Sequence, residues 1–198
     1  MEFEALLKKR RMTRSFLDER ISDEVLGKVV RAALQGPSAG FAQGVEFVVV
    51  KTPLAREHFW SCVTTPGWLD SSNNHKGLDY AQAVIVVLAN KQRYIRRYQT
   101  KDKSYSGWDS EESWPTPYWY VDAGAAVMLA LLSAANCGLG ALFFSIDRGF
   151  SQLRSFFEIP EELLFVGAIA IGVPTTSEPS GSSRVVGRRP FDESVRVF

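Results

Sequence analysis

Cysteine and histidine are scarce in this chain of 198 residues, which has two of each. Cys62 and Cys137 lie far apart and outside any ligand spacing, so the sequence indicates neither a disulfide framework nor a zinc site. His58 and His75 form no paired metal motif such as H-E-x-x-H. The motifs G-x-S-x-G and G-x-x-x-x-G-K-[ST] are also missing, which argues against hydrolytic and P-loop chemistry. We expect no metal site.

Net charge and long apolar runs are lacking as well. Lysine and arginine number 23 against 22 acids, a formal net charge of +1, so no global field attracts nucleic acid or an anionic membrane. The longest apolar run, 127–135, is far shorter than the roughly 20 residues of a membrane helix, so we interpret it as a buried helix. The opening MEFEALLKKRRMTR lacks the apolar core of a secretory signal. These absences predict a cytoplasmic protein with no membrane partner and no nucleic-acid partner.

The hydrophobic pattern predicts alternating helices and strands. With 45% hydrophobic residues, the chain can bury one sizeable core, and a single domain over 1–198 is expected. Periodicity predicts helices at 2–11, 21–36, 121–135 and 151–159, and strands at 45–50, 83–89, 141–146 and 164–174. Ser22 is a candidate N-cap of the second helix, and Gly138 ends the apolar third helix. This order predicts an α/β or α+β layered sandwich.

Residues 91–118 follow neither period. The segment mixes charged residues, serine and proline with the aromatic residues Tyr94, Tyr98, Tyr105, Trp108 and Trp114. Structureless stretches of this length inside a compact domain are usually functional or disordered, and the interleaved aromatic residues argue against disorder. We interpret 91–118 as a long excursion that includes some helix.

Arginine is concentrated in two places, near the two ends of the chain. The clusters are Arg10, Arg11 and Arg14, and Arg184, Arg188 and Arg189. The rigid guanidinium fork suits phosphate oxygens, so two clusters that converge in space would form an anion site. The alternative is an ordinary solvated surface, which is the common environment of arginine.

The stretch GPSAGFAQG, residues 36–44, follows the second predicted helix. Gly36 and Pro37 are explained by the helix end, since glycine is favoured just past it and proline cannot continue it. The small and amide-bearing residues Ser38, Ala39 and Gln43 are not explained in this way. An open backbone of this kind allows close approach of another group.

Longer blocks of sequence resemble one family. The string RRMTRSFLDERISDEVLGKVVRAALQGPSAGFAQGVEFVVV resembles the opening of the nitroreductase family of flavoproteins, whose usual pattern runs RRSxRxF, then APSAGNxQPW, then a strand. VDAGAAVMLALLSAANCGLGA resembles the central helix of that family, and AIAIGVP and RRPFDESV resemble its last strand and tail. The resemblance runs in order over nearly the whole chain except 91–118. It implies a three-layer α/β/α sandwich of the α+β class, an intertwined homodimer, and FMN in two pockets at the subunit interface.

The resemblance also assigns cofactor-binding residues. It implies that Arg10, Arg11, Arg14 and Arg188, with Arg189 as a further candidate, meet the phosphate and the ribityl or pyrimidine end of FMN. Pro37, Ser38, Ala39 and Gln43 would reach the flavin from the other subunit. The strand end at Phe144 and Ser145 would place a backbone N–H near the flavin N5 atom. The 36–44 loop would then be small because a planar ring slides against it.

Some positions depart from the family pattern. Met12 replaces the usual serine, which removes a hydroxyl that could bond the ribityl chain. Phe41 replaces the usual asparagine, and Gly44 and Val45 replace Pro-Trp. Phe41 would flank the flavin or floor the substrate pocket, or it would be a core aromatic residue. These departures bear on the choice of acceptor and of cofactor.

For function, the resemblance implies an NAD(P)H oxidoreductase with FMN as cofactor. Its ping-pong cycle would reduce a small aromatic or quinoid acceptor such as a nitroaromatic, quinone or enone. The excursion 91–118 would be a lid, and Trp108, Trp114, Tyr118 and Trp119 would stack on the acceptor or would seal the core or the dimer. Two alternatives stay open: a protein that stores or senses flavin without turnover, and a reductase of the same fold with a deazaflavin cofactor.

Overall fold

The computed structural model describes residues 2–69, 77–175 and 186–198, so His75 and Arg184 lie outside the described residues. The helices are α1 Phe3–Lys9, α2 Asp23–Ala33, α3 Pro53–Val63, α4 Lys91–Tyr98, α5 Tyr118–Asn136, α6 Phe150–Phe157 and α7 Phe191–Ser194. The strands are β1 Phe16–Leu17, β2 Val45–Val50, β3 Ala83–Ala89, β4 Gly140–Phe144 and β5 Leu164–Pro174.

The predicted strands and helices are present, with changes at their ends. The strands predicted at 45–50, 83–89 and 164–174 are confirmed at those bounds. Ser22 caps α2, since its Oγ atom accepts a hydrogen bond of 3.2 Å from the Val25 N–H. The strand predicted at 141–146 ends at Phe144 instead. Helix α3 was not predicted, although Thr52 caps it and Pro53 occupies its first turn, both common signals of a helix start.

All strand pairs are antiparallel, and β5 lies at the centre of the sheet. It pairs with β3 along one edge and with β4 along the other, from Gly140↔Gly172 to Phe144↔Ala168. Strand β2 extends the sheet beyond β3, and β1 pairs with the last residues of β5. Because β4 stops at Phe144, its end is an edge of the sheet at which the chain turns away toward α6.

Both faces of the sheet are covered, which makes a three-layer α/β/α sandwich. Alternate residues of β3 face opposite ways, so Val84 and Val86 pack in one core and Ile85 and Val87 in the other. Helices α3 and α6 cover the first face, and α2 and α5 cover the second. All of β3 is buried, as its unbroken apolar sequence predicted.

Helix α5 is apolar on nearly every side but is only partly covered. By length and composition it could cross a membrane, yet half of its most apolar window is buried inside this fold. Its buried side packs on α2 and the sheet, with Ala123, Ala130 and Ala134 fully buried. Val121 and Met128 lie on the other side and are exposed. α5 is therefore the central helix of the sandwich and leaves an apolar stripe bare in one chain.

The segment that lacked a clear period contains helix α4 and an aromatic cluster. Residues Tyr94, Tyr98, Trp114 and Trp119 are buried together, with Trp108 packed against them. The rings of Tyr98 and Trp114 lie 4.6 Å apart in an edge-on arrangement, which is a favourable geometry for aromatic pairs. Trp114 and Trp119 therefore seal a core within their own chain, whereas Tyr105 is exposed.

Candidate functional site

A cavity of about 290 Å³ opens where β4 ends. Its lining residues are Arg14, Trp60, Val63, Thr64, Thr65, Trp68, Leu78, Leu142, Phe143, Phe144, Ser145, Asp147 and Arg148. The rings of Trp60 and Phe144 stack at 5.7 Å and form an apolar wall. Arg148 is paired with Asp147, with a distance of 3.5 Å from Nε to Oδ1, so Arg14 supplies the net positive charge of the lining. A concave site that combines an apolar wall with polar and charged groups can bind a small molecule.

The segment after α1 reaches this cavity because it runs beside β4. Met12 forms a parallel bridge with Ala141, and the Thr13 N–H donates a hydrogen bond of 2.9 Å to the Ala141 carbonyl. Gly140 permits this approach, since a Cβ atom there would lie 2.7 Å from the Thr13 side chain. The pairing carries Arg14 to the cavity wall next to Phe144.

The other arginines of this segment lie in different environments. Arg10 is half-buried at the end of α1, and its Nη1 atom is buried without a hydrogen-bond partner among the described residues. A buried donor of this kind is costly unless something accepts its hydrogen bond. Arg11 is exposed and donates a hydrogen bond of 3.0 Å to the Arg10 carbonyl. The side chain of Met12 is 37% exposed.

The 36–44 loop is held in place by helix α5. The Ala39 N–H donates a hydrogen bond of 2.9 Å to Asp122 Oδ2. Asp122 is 6% exposed, and it forms no ion pair within the described part of the chain. Ser38 Oγ closes the loop by accepting a hydrogen bond of 3.0 Å from the Gln43 N–H. A buried carboxylate at this position ties the loop to the central helix.

The backbone of the loop is strained and directs side chains outward. Phe41 and Gln43 have left-handed backbone φ angles of 58° and 52°, which cost on the order of 1 kcal/mol or more for residues other than glycine. Phe41 is 73% exposed, and Pro37 and Gln43 are exposed as well. The idea that Phe41 is a core residue is therefore wrong for the single chain. Strain of this kind often marks a ligand-binding segment.

Two of the three glycines of the loop, Gly40 and Gly44, are required by tyrosines of α4. A Cβ atom on Gly40 would lie 2.7 Å from the Tyr98 ring, and one on Gly44 would lie 2.3 Å from the Tyr94 ring. Gly40 also has a φ angle of +59°, which favours glycine. Packing within the chain therefore explains why glycine is needed at both positions, without a ligand.

The burial of Tyr94 against the loop can be tested by measuring protein stability at alkaline pH. Its side chain is fully buried, and its hydroxyl makes no hydrogen bond to the described residues. Burial, and next the nearby Asp122, raises the pKa of Tyr94 far above its ordinary value. In the unfolded chain the Tyr94 hydroxyl ionises near pH 10, whereas in the folded chain it stays neutral. The free energy of unfolding is therefore unaffected by Tyr94 below about pH 10 and falls as the pH rises above that value.

We therefore expect Tyr94→Phe to be at least as stable as the wild type at pH 8, because it removes a buried unpaired hydroxyl. Its advantage over the wild type should grow by about 1 kcal/mol between pH 8 and pH 11. Urea unfolding at the two pH values measures the difference. Tyr105→Phe, at a side chain that is 83% exposed, is the control and should show no such gain. Equal alkaline loss in the wild type and in Tyr94→Phe would contradict the assignment.

The C-terminal arginines lie on an exposed segment. Residues 186–198 are exposed throughout, including Arg188 and Arg189. Arg189 contacts Glu193, with a Nε to Oε2 distance of 3.9 Å and a hydrogen bond of 2.7 Å to the Glu193 carbonyl. Arg188 forms no ion pair within the described residues, so it is the freer of the two.

Of the predicted cofactor-binding residues, Arg14, Phe144 and Ser145 line one cavity. The described residues that line it include none of the 36–44 loop, which the prediction placed against a partner subunit. Trp60, Arg148 and Asp122 were not among the predicted site residues. Asp122 carried a usable signal, since it is the only charged residue in the apolar run of α5.

The fold and the cavity together define an α+β sandwich protein with an arginine-lined cavity at the end of an edge strand. The profile of the nitroreductase family matches residues 7–173. The chain belongs to the nitroreductase family.

Individual relatives agree with this placement. An Archaeoglobus fulgidus protein assigned as an NADH dehydrogenase or NAD(P)H nitroreductase is 27% identical over 168 residues, covering 83% of this chain and 81% of that protein. A nitroreductase-like structure from Streptococcus mutans matches with a TM-score of 0.76 at 16% identity, covering 99% and 98% of the two chains. A Desulfovibrio desulfuricans protein assigned as a nitroreductase and solved in complex with FMN matches with a TM-score of 0.61 at 22% identity, covering 95% and 96%.

Proposed function

We propose that the protein is an FMN-dependent oxidoreductase that takes reducing equivalents from NAD(P)H and passes them to a nitroaromatic, quinone or enone acceptor in a ping-pong cycle. The observation that carries this proposal is the cavity at the end of β4, which combines Arg14 with an aromatic wall. Family membership supports flavin chemistry, and the relatives assigned as NAD(P)H nitroreductases support the nicotinamide donor. The FMN complex of a related fold supports FMN.

The residues present fit a flavin mononucleotide. Arg14 offers guanidinium donors at the cavity, and the unpartnered Nη1 atom of Arg10 lies in the same segment. Both suit the anionic phosphate end. Trp60, Phe144 and the other apolar side chains suit a planar ring. When bound, FMN would supply the two-electron chemistry, because such cofactors carry the reaction and the protein supplies binding and electrostatics.

We assign a separate role in cofactor binding to the arginines, to Ser145 and to the aromatic wall. Arg14 and Arg10 would hold the phosphate and the polar edge of the cofactor, with Arg188 and Arg189 supplied by the exposed C-terminal segment. Ser145 lies just past the last paired residue of β4, where a backbone N–H can point into the cavity. The aromatic wall would exclude water and stack the acceptor. No side-chain acid or base is assigned.

We propose a homodimer as the working unit. The apolar stripe of α5 is bare, with Val121 and Met128 exposed. Phe3 and Leu7 of α1 are exposed as well, and so are Phe191 and Val197 of the C-terminal segment. Exposed apolar groups gathered on a helix and on two chain ends favour burial against a second copy. A partner would also bring its 36–44 loop to the open side of the cavity.

Light scattering is expected to give about twice the chain mass of 22.1 kDa. Val121→Glu should lower that mass toward one chain, because it places a charge in the proposed interface while the folded chain tolerates it at an exposed site. Leu54→Glu, at an exposed residue of α3 across the sheet, is the matched control and should stay dimeric. A wild-type mass near 22.1 kDa with flavin fully bound would contradict the proposal.

The experiment on function is anaerobic stopped-flow spectroscopy of the purified protein, after mass spectrometry has identified the bound cofactor. NADPH or NADH should bleach the bound FMN, and a nitroaromatic or quinone should restore its colour. Flavin that reacts with neither would support a storage or sensing protein. Release of a deazaflavin would replace FMN in the proposal.

A further inference from the structure

A second cavity, an open groove of about 460 Å³, lies between the 36–44 loop and helix α4. The residues that line this groove are Ala42, Asn90, Arg93, Arg96 and Arg97. Arg96 and Arg97 follow Arg93 by three and four residues, which places the three side chains on one side of α4. The opposite face of the helix carries the buried Tyr94 and Tyr98.

The arginines of the groove are neutralised unequally. Arg97 is fully engaged, with hydrogen bonds of 2.9 and 2.7 Å to the two carboxylate oxygens of Asp102 and one of 2.7 Å to the Gly40 carbonyl. Arg93 lies 3.4 Å from Glu46 Oε1, which also accepts a hydrogen bond from Asn90. Arg96 is exposed and has no ion pair or hydrogen bond among the described residues.

Positive charge is therefore left over in the groove. Like charges three to four residues apart on a helix oppose each other, and a bound anion would relieve this repulsion. The wall also holds an unused acceptor. Asn90 Oδ1 is buried and receives no hydrogen bond from the described residues, while Asn90 Nδ2 donates to Glu46. A ligand that combines phosphate with hydroxyl groups complements both features.

The groove is fixed to the loop that the proposed function places beside the flavin. Arg97 binds the Gly40 carbonyl, and the Asn90 N–H donates a hydrogen bond of 2.7 Å to the Gly44 carbonyl. The Tyr98 ring packs on Gly40. If the loop lies beside the flavin, the groove therefore lies beside the flavin pocket as well. A nicotinamide ring stacked there would have its phosphate groups a few bonds away.

We infer that this groove, through Arg93 and Arg96, binds the phosphate groups of the nicotinamide dinucleotide that reduces the flavin. The inference rests on the proposed function. It assigns the anchoring of the donor to α4, whereas the cavity at the end of β4 serves the flavin. The carboxylate of an acidic acceptor is the competing occupant, and the experiment separates the two.

The test compares wild type, Arg93→Gln/Arg96→Gln and the control Arg31→Gln, an exposed arginine of α2 outside the groove. Calorimetry measures the binding of ADP-ribose, which carries the phosphates without the reducing ring. Stopped-flow spectroscopy measures bleaching of the flavin by NADH and by N-benzyl-dihydronicotinamide, which carries the ring without phosphates. Both are repeated at low and high salt.

We expect the double variant to bind ADP-ribose about tenfold more weakly and to be bleached about tenfold more slowly by subsaturating NADH. Bleaching by the benzyl compound should be unchanged, and the wild-type affinity should fall with salt. Equal binding of ADP-ribose by wild type and double variant would overturn the inference, as would equal loss with both donors. If the double variant were impaired only in reoxidation by a nitrobenzoate, the groove would belong to the acceptor instead.

If the proposed oxidoreductase function itself is wrong, the experiment gives a different result. In that case neither donor bleaches the flavin in any of the proteins. The binding of ADP-ribose still decides the role of the groove, since it needs no turnover.

Discussion

Replacing Arg14 and Arg188 together by alanine is expected to give a folded but colourless protein. Arg14 lines the cavity at the end of β4, and its Nη1 atom makes only a long 3.4 Å contact to the Met12 carbonyl. Arg188 is exposed on the C-terminal segment with no ion pair among the described residues. Neither arginine supports the core, so the fold should survive. Each charge-assisted bond to a phosphate contributes roughly 1.5–3 kcal/mol, so losing both should weaken FMN binding about 10²- to 10⁴-fold.

Single variants make this prediction sharper. If both arginines grip the same phosphate, the free-energy changes of Arg14→Ala and Arg188→Ala should not add, and a double-mutant cycle measures the coupling. Arg31→Ala, an exposed arginine on α2, should keep its flavin. Titration with FMN, followed by flavin fluorescence and circular dichroism, reports affinity and fold together. A double variant that leaves gel filtration still yellow would refute the phosphate assignment.

The fold could be predicted from sequence where the pattern was unbroken. β3 and β5 are continuous apolar runs buried on both faces, so length and composition identified them. Helix α3 escaped because its apolar residues form only a weak stripe, with just Phe59 and Trp60 buried. Helix α4 was expected only as some helix within 91–118, because charged residues dominate it and its buried tyrosines contact the distant 36–44 loop. Contacts of that kind cannot be read from local periodicity.

The site was predictable only in part for the same reason. The arginine clusters indicated an anion, and the resemblance to the family implied a planar ring against the loop. Spacing along the sequence could not say which residues meet within one chain. Arg14 meets Phe144 because Thr13 pairs with β4. The open backbone of the loop was attributed to a ligand, whereas Tyr94 and Tyr98 require two of its glycines, Gly44 and Gly40. Whether a partner loop completes the cavity depends on the assembly, which the pattern of one chain does not encode.

Asp122→Ala is the second change with a large expected effect, because it detaches the start of the 36–44 loop from α5. Asp122 Oδ2 accepts the Ala39 N–H at 2.9 Å, and it is the link between the loop and α5. Without it the donor is left unpaired in a partly buried site, which costs about 1–3 kcal/mol of stability. Helix α4 still holds the loop at Gly40 and Gly44, so the loss of order is confined to the part of the loop around Ala39. The loop proposed to face the flavin would lose its shape at that end.

Asp122→Asn tests whether the hydrogen bond to Ala39 or the carboxylate charge of Asp122 matters. Its amide oxygen can still accept the Ala39 N–H, and the cost of a buried carboxylate disappears, so its stability should stay close to that of the wild type. We therefore expect the midpoint of urea unfolding to fall clearly in the alanine variant only. FMN affinity should fall about tenfold or more in the alanine variant and little in the asparagine variant. If both variants bound FMN as the wild type does, the loop would have no part in the flavin site, and the cavity at the end of β4 would have to hold the cofactor without it.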